Sequence, residues 1–250
     1  MFKQYLILLL LAHIIADFYI QTEKVSEKKD QDIKWVLIHC VFYLGIMFIL
    51  VLPVISNVFI IGVILAGGFH LMIDTAKYVY ISLINKKGKM NQLFERSLFF
   101  TDQFLHFISL IGIAYRQTRN NIQIIEIQAI VDFFNVVGVS GYVVVSWTFA
   151  LLLIHNPANI AIQKLLSIYK PADDSNEKEE LKAGRFIGTV ERIIMLIFLV
   201  IEQYSAIGLV LTAKSIARYD KISKEKDFAE YYLLGTLIST LIVIVVSFII

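Results

Sequence analysis

FKQYLILLLLAHIIADFYI, Phe2–Ile20, is the stretch whose reading decides the fold. Its apolar body, Gln4–Ile20, approaches the ~20 residues an α-helix needs to cross a bilayer. It nevertheless carries His13 and Asp17 near its end. Those two residues, and the lack of a small-residue cleavage site, argue against a cleaved signal and for a retained membrane helix. Six more runs share this character: roughly Trp35–Leu52, Val58–Ile84, Leu98–Tyr115, Val139–Ile154, Phe186–Ala213 and Tyr231–Ile250.

Composition supports the same conclusion. Of the 250 residues 58% are hydrophobic, against ~45–50% in an ordinary soluble domain. The expectation is an all-α, polytopic membrane helical bundle of about seven transmembrane helices, with the lipid bilayer as its main partner. The net charge is +2, with no basic tract and no nucleic-acid motif, so nucleic acid is not an expected partner. The single cysteine, Cys40, lies in an apolar run, which excludes a disulfide framework and reads as a small buried hydrophobe.

The expected organisation has four parts. Residues 1–120 form a four-helix membrane domain, with Pro53 closing its second helix. Residues 121–170 hold an interfacial or re-entrant segment, Ile122–Val137 with Glu126 and Asp132, and a fifth helix. Residues 171–183 are a polar linker containing PADDSNEKEELK, and residues 184–250 a C-terminal two-helix membrane segment. Loop charges set the orientation. Lys24, Lys28, Lys29 and Lys34 in the first loop and Lys86, Lys87, Lys89 and Arg96 in the third predict a cytoplasmic side, in a bacterial inner membrane.

Three pairs carry the chemistry: His13 with Asp17, His70 with Asp74, and Asp102 with His106, each four residues apart. On a helix that spacing stacks both side chains on one face, ~6 Å apart along the axis. His39 lies near the start of the second helix. Chain direction alternates from helix to helix, and so does the position of these residues, so all seven fall at one depth in the cytoplasmic half. Ionisable groups inside a bilayer are costly and face the bundle interior. His13, Asp17, His39, His70, Asp74, Asp102 and His106 are therefore expected to converge. Four imidazoles and three carboxylates suit a divalent metal, zinc first, with manganese or iron as alternatives. Seven donors exceed one tetrahedral site, which fits two ions, or one ion with carboxylates orienting its histidines. A hydrogen-bonded network without metal is the plain alternative. Lys77 lies on the face of Asp74 and either holds a phosphate or snorkels to the interface; Gln21, Lys24 and Gln103 are also nearby.

At these residues the chain resembles a family of bacterial membrane proteins described only as a domain of unknown function. The shared marks read HIIADFYIQ from His13, His39, HLMIDTAK from His70, and DQFLH from Asp102, within the first 120 residues. A looser similarity is to membrane-bound metal-dependent hydrolases and the zinc phospholipase C and P1 nuclease group, whose helices use H-x-x-x-D/E pairs as metal ligands. That likeness implies a hydrolase of a lipid phosphoester or similar amphiphile, with Asp17, Asp74 or Asp102 as general base and Lys77 near the phosphate. A divalent-metal or proton transporter, and a non-catalytic membrane partner with a structural His–Asp network, are the alternatives.

The last part of the chain offers less. Glu191 and Glu202 are eleven residues apart and would share a face of one long helix, with Glu191–Arg192 as a stitching pair or Glu202 as a mid-membrane functional group. Gly235 and Ser239 mark a packing seam. His155, beside Asn156-Pro157 at an expected helix end, reads as structural.

Overall fold

A computed structural model describes residues 1–52, 57–85, 91–120, 127–169 and 177–250. Pro53 and Glu126 lie outside the described residues, as do Lys86, Lys87 and Lys89 of the third loop. Among the described residues the chain is helical, with no strand. It divides into two compact units, Met1–Phe149 and Ala150–Ile250.

The first unit opens with α1, Phe2–Ile14, which runs without a break into a π-helical turn, Ile15–Ile20. α2, Glu23–Lys29, is a short loop helix; α3 is Ile33–Val51, α4 Asn57–Asn85 and α5 Gln92–Arg119. Polar side chains start three of these helices, satisfying N–H groups that the helix leaves open. Thr22 accepts from Val25 N at 3.4 Å, Asp32 from Lys34 N at 2.9 Å and Asn91 from Leu93 N at 3.3 Å.

Four long helices close a ring: α1 on α3, α3 on α4, α4 on α5 and α5 back on α1. One end of the ring is dry. Tyr5, Leu9 and Ala12 of α1, Ile46, Met47 and Val51 of α3, Val63 and Ala66 of α4, and Leu110, Ile113 and Ala114 of α5 form its core. The alanines let the backbones approach closely, as packing within lipid requires. The outer faces are apolar too: Val41, Phe42, Ile49, Phe104 and Ile108 are exposed.

α6, Gln128–Val137, has ten residues, none of them buried, too few to cross a bilayer. It ends at Gly138, whose positive φ of 73° is the left-handed conformation that glycine adopts freely.

Six helices are long and apolar enough to cross a membrane: Phe2–Ile20, Ile33–Val51, Ile60–Ile84, Gln92–Arg119, Gly141–Leu166 and Lys226–Ser247. The expected count of about seven included Phe186–Ala213, and there the structure differs. That run is two helices, α8 (Glu177–Val200) and α9 (Tyr204–Ala217). The break is a Schellman-type closure: Gln203 N donates to Phe198 O at 2.8 Å and Glu202 N to Leu199 O at 3.2 Å. Glu202 takes the left-handed position, φ 58°, and is exposed. Glu191 and Glu202 therefore do not share one helix.

Two further boundaries move. α7, Gly141–Leu166, passes through Asn156-Pro157, so His155 lies inside a helix and not at its end. α8 begins at Glu177, inside the stretch expected as a linker, because EKEELK consists of strong helix formers. The second unit is completed by α10 (Tyr219–Lys224) and α11 (Lys226–Ser247).

Arg192 of α8 is 2% exposed and ties this unit together. Its Nε donates to Ile154 O at 2.6 Å, one NH2 group to Asn159 Oδ1 at 2.7 Å, and the other to Ser239 Oγ at 3.3 Å. Pro157, which cannot donate, sits close to that accepting carbonyl on α7. Glu191 pairs with Lys214 at 2.6 Å, not with Arg192.

Candidate functional site

The His–Asp pairs lie just beyond the dry core, in layers. On α1 and α4 the order along the chain is apolar core, His, Asp. On α5, which runs the other way, it is Asp102, His106, then core. In all three helices the imidazole is thus the deeper group and the carboxylate one turn nearer the mouth. His39 of α3 joins the imidazole layer, with Tyr43 one turn deeper.

The seven predicted residues do converge. His39 Nε2 is 3.0 Å from His70 Nε2. Asp17 Oδ1 lies 3.3 Å from the first and 3.7 Å from the second. Asp74 Oδ2 lies 3.7 Å from His39 Nε2 and 3.5 Å from His70 Nε2. His106 Nε2 reaches Asp74 Oδ1 at 4.0 Å, and its ring is 4.4 Å from that of His70 and 5.2 Å from that of His13. All four histidines are at least nine-tenths buried.

The π-helical turn aims Asp17. It widens the helix at Ile15–Ile20, and Asp17 ends closer to His39 across the bundle than to its own partner His13, 3.9 Å away. Such turns are rare and recur at functional sites.

Tyr43 and Lys29 also belong here, though the sequence pattern did not single them out. The Tyr43 ring stacks on His70, centroids 3.7 Å apart and planes at 8°, and its hydroxyl pairs with His13 Nδ1 at 3.3 Å. Lys29 arrives on α2, inserting its ammonium 2.5 Å from Asp74 Oδ2 and 3.1 Å from Gln21 Oε1. In sequence it was one loop charge among several. Lys77 neither snorkels freely nor stands alone: it pairs with Asp102 Oδ2 at 3.2 Å, which Gln103 also approaches at 3.3 Å. Lys24 is exposed and stays out. Asp30, at the end of α2, faces Lys77 and Lys29; burial nonetheless pushes its carboxyl above the ordinary range.

The donor set fits a divalent cation. Ligand atoms of His13, Asp17 and His106, of Asp17, His39 and His70, of Cys40, His70 and Asp74, and of Asp74, Asp102 and His106 each lie within 4.8 Å of one another. Bonds of ~2.0–2.2 Å to zinc put the ligand atoms of a tetrahedron ~3.3–3.6 Å apart. The Asp17–His39–His70 triangle, with sides of 3.0, 3.3 and 3.7 Å, is close to one face of it. Both ring nitrogens of His106, His70 Nδ1 and Asp102 Oδ1 are buried without a hydrogen bond among the described residues. A buried polar atom left so is costly. Cys40, expected only to fill space, also presents a thiol to His70 and Asp74.

A helical bundle with six helices of membrane-crossing length and a buried His/Asp centre inside a four-helix ring is the architecture of a membrane protein. The chain belongs to the family described as "Protein of unknown function (DUF3307)", whose sequence profile matches residues 5–133, the span that holds the whole centre. No match was found among curated proteins or among solved structures.

Proposed function

We propose that this protein is a membrane-embedded, divalent-metal-dependent hydrolase acting on the phosphoester of a lipid or similar amphiphile. The observation that carries the reading is the convergence of four imidazoles and three carboxylates at ligand spacing, centred on Asp17, His39 and His70. Zinc is the expected ion, with manganese or iron as alternatives, and the two loci around His39/His70 and His106 accommodate one ion or two. Such an ion supplies a Lewis acid and lowers the pKa of bound water.

The chain's own residues divide the remaining work. Asp102 is the general base: Lys77 and Gln103 hold Oδ2, leaving Oδ1 free to accept a proton. Lys77 and Lys29, on the mouth side of the carboxylates, attract an anionic head group. The layering favours this reading over a transporter. A transit site needs access from both ends, whereas the apolar core closes the ring behind the imidazoles. The basic loops assign the mouth to the cytoplasmic face of a bacterial inner membrane.

The test is elemental analysis of protein purified in detergent without chelator. One or two divalent ions per chain are expected; less than one overturns the proposal. Head-group release from mixed micelles should then fall by ~10²–10⁴ in Asp102→Asn, the usual worth of a general base.

A further inference from the structure

Each of two carboxylates in the centre is already occupied by a lysine from its rim. Lys29 Nζ lies 2.5 Å from Asp74 Oδ2 and Lys77 Nζ 3.2 Å from Asp102 Oδ2. Asp74 and Asp102 are also donors of the ligand groups around His70 and His106. A divalent ion that takes either carboxylate competes with an ammonium for the same oxygens. Lys29 is only 9% exposed. Pushed off Asp74, its charge would be left buried without a partner, which is strongly unfavourable. The converse also holds. An anion arriving at Lys29 or Lys77 alone would strip a buried carboxylate of its cation and add negative charge beside two more.

Neither penalty applies when both arrive together. We propose that Lys29 and Lys77 are exchangeable counter-cations, and that the centre binds a divalent metal and a phosphate-type oxyanion as a pair. The metal takes Asp74 and Asp102, and the oxyanion takes the two ammonium groups. This deepens the metal-dependent reading and rests on it. Gln21 and Gln103, now bonded to Lys29 and to Asp102, are neutral groups that can follow either partner. α2 suits the exchange: it is seven residues long and mostly exposed, so withdrawing Lys29 gives up little packing. The oxyanion is recognised by two ammonium groups, a chemistry that free phosphate and a lipid phosphate monoester share. Metal and oxyanion affinities are then coupled, and the coupling is reciprocal.

The experiment titrates the full-length, detergent-solubilised protein with cobalt(II), whose visible absorption reports coordination. It is run alone, with inorganic phosphate, and in micelles doped with phosphatidic acid or, as control, diacylglycerol. Cobalt affinity should rise ~5–150-fold with an oxyanion, the usual range of coupling between two sites. A rise with inorganic phosphate assigns the site to the phosphate group itself; a rise with phosphatidic acid alone assigns it to a lipid. Lys29→Gln and Lys77→Gln should bind cobalt more tightly than wild type without oxyanion and lose the enhancement. Lys29→Arg, which keeps the charge, should retain it, and this separates exchange from mere loss of structure. Cobalt binding that is indifferent to every oxyanion overturns the pairing alone. No cobalt binding in any arm overturns the metal reading beneath it.

Discussion

Replacing His70 with phenylalanine tests the centre most directly. The His70 ring is 1% exposed and lies flat on Tyr43, so Phe keeps the shape and the stack while removing both nitrogens. The lost Nε2 sits 3.0 Å from His39 Nε2, 3.7 Å from Asp17 Oδ1 and 3.5 Å from Asp74 Oδ2, more ligand-range neighbours than any peripheral donor has. A structural zinc site is worth ~10–16 kcal/mol over four ligands, or ~3–4 kcal/mol per ligand. At ~1.4 kcal/mol per decade, His70→Phe should weaken metal binding ~10²–10³-fold. Competition against a chromophoric chelator measures this in detergent, with circular dichroism confirming unchanged helix content. A variant that folds as wild type and binds metal within threefold of it would refute the assignment of His70 as a ligand, and with it the reading of the His39–His70 edge as half of a coordination shell.

Tyr43→Phe keeps the stack and removes the hydroxyl at His13 Nδ1; an outer partner of this kind is worth ~10–100-fold in metal affinity, measured by the same competition. Gly62→Val should lower the stability of the first unit by ~1–3 kcal/mol in a denaturation titration, because even a Cβ there meets the buried Gln117 amide. Arg192→Met strands the acceptors Ile154 O and Asn159 Oδ1 and should cost at least ~3 kcal/mol, a loss that Arg192→Lys does not recover because one ammonium cannot span both. Asp30→Asn should stabilise the protein at neutral pH. Its folded pKa is raised, so the ionised form costs stability above that value, and the cost fades as pH falls toward the unfolded ~3.9; thermal melts of both proteins should converge near pH 4.

The His–Asp centre was legible because two periodicities coincide in it. H-x-x-x-D spacing fixes a helix face, and the reversal of order in Asp102-Gln-Phe-Leu-His106 matches the reversal of chain direction in α5. Tyr43 was not legible, since an aromatic residue in an apolar helix looks like any other core residue. Lys29 was hidden for a different reason: a lysine in a polar loop reports nothing of where its long side chain ends, and only the path of α2 brings it to Asp74. The helix break at Glu202 carried no glycine or proline to announce it. Pro157 erred in the opposite sense, a breaker that α7 runs through while Arg192 bonds a carbonyl three residues before it. Both misreadings share one origin: tertiary hydrogen bonds override the local preference of a single residue.

The π-helical turn at Ile15–Ile20 makes the length of the chain itself a functional quantity. Such a turn holds one residue more than an α-turn, and one residue is ~100° of rotation about the helix axis. It therefore sets the phase between two segments: Tyr5, Leu9 and Ala12 facing the dry core before it, and Asp17 and Gln21 facing the centre and its rim after it. Removing any one residue of the six would restore an ordinary α-helix and swing everything beyond it through about a quarter turn, carrying Asp17 off His39 with no side chain of the centre altered. Side-chain exchange at Ile15, Phe18 or Tyr19 leaves that phase intact. What this segment holds constant is a count of residues, and the reach of a carboxylate across the bundle depends on that count.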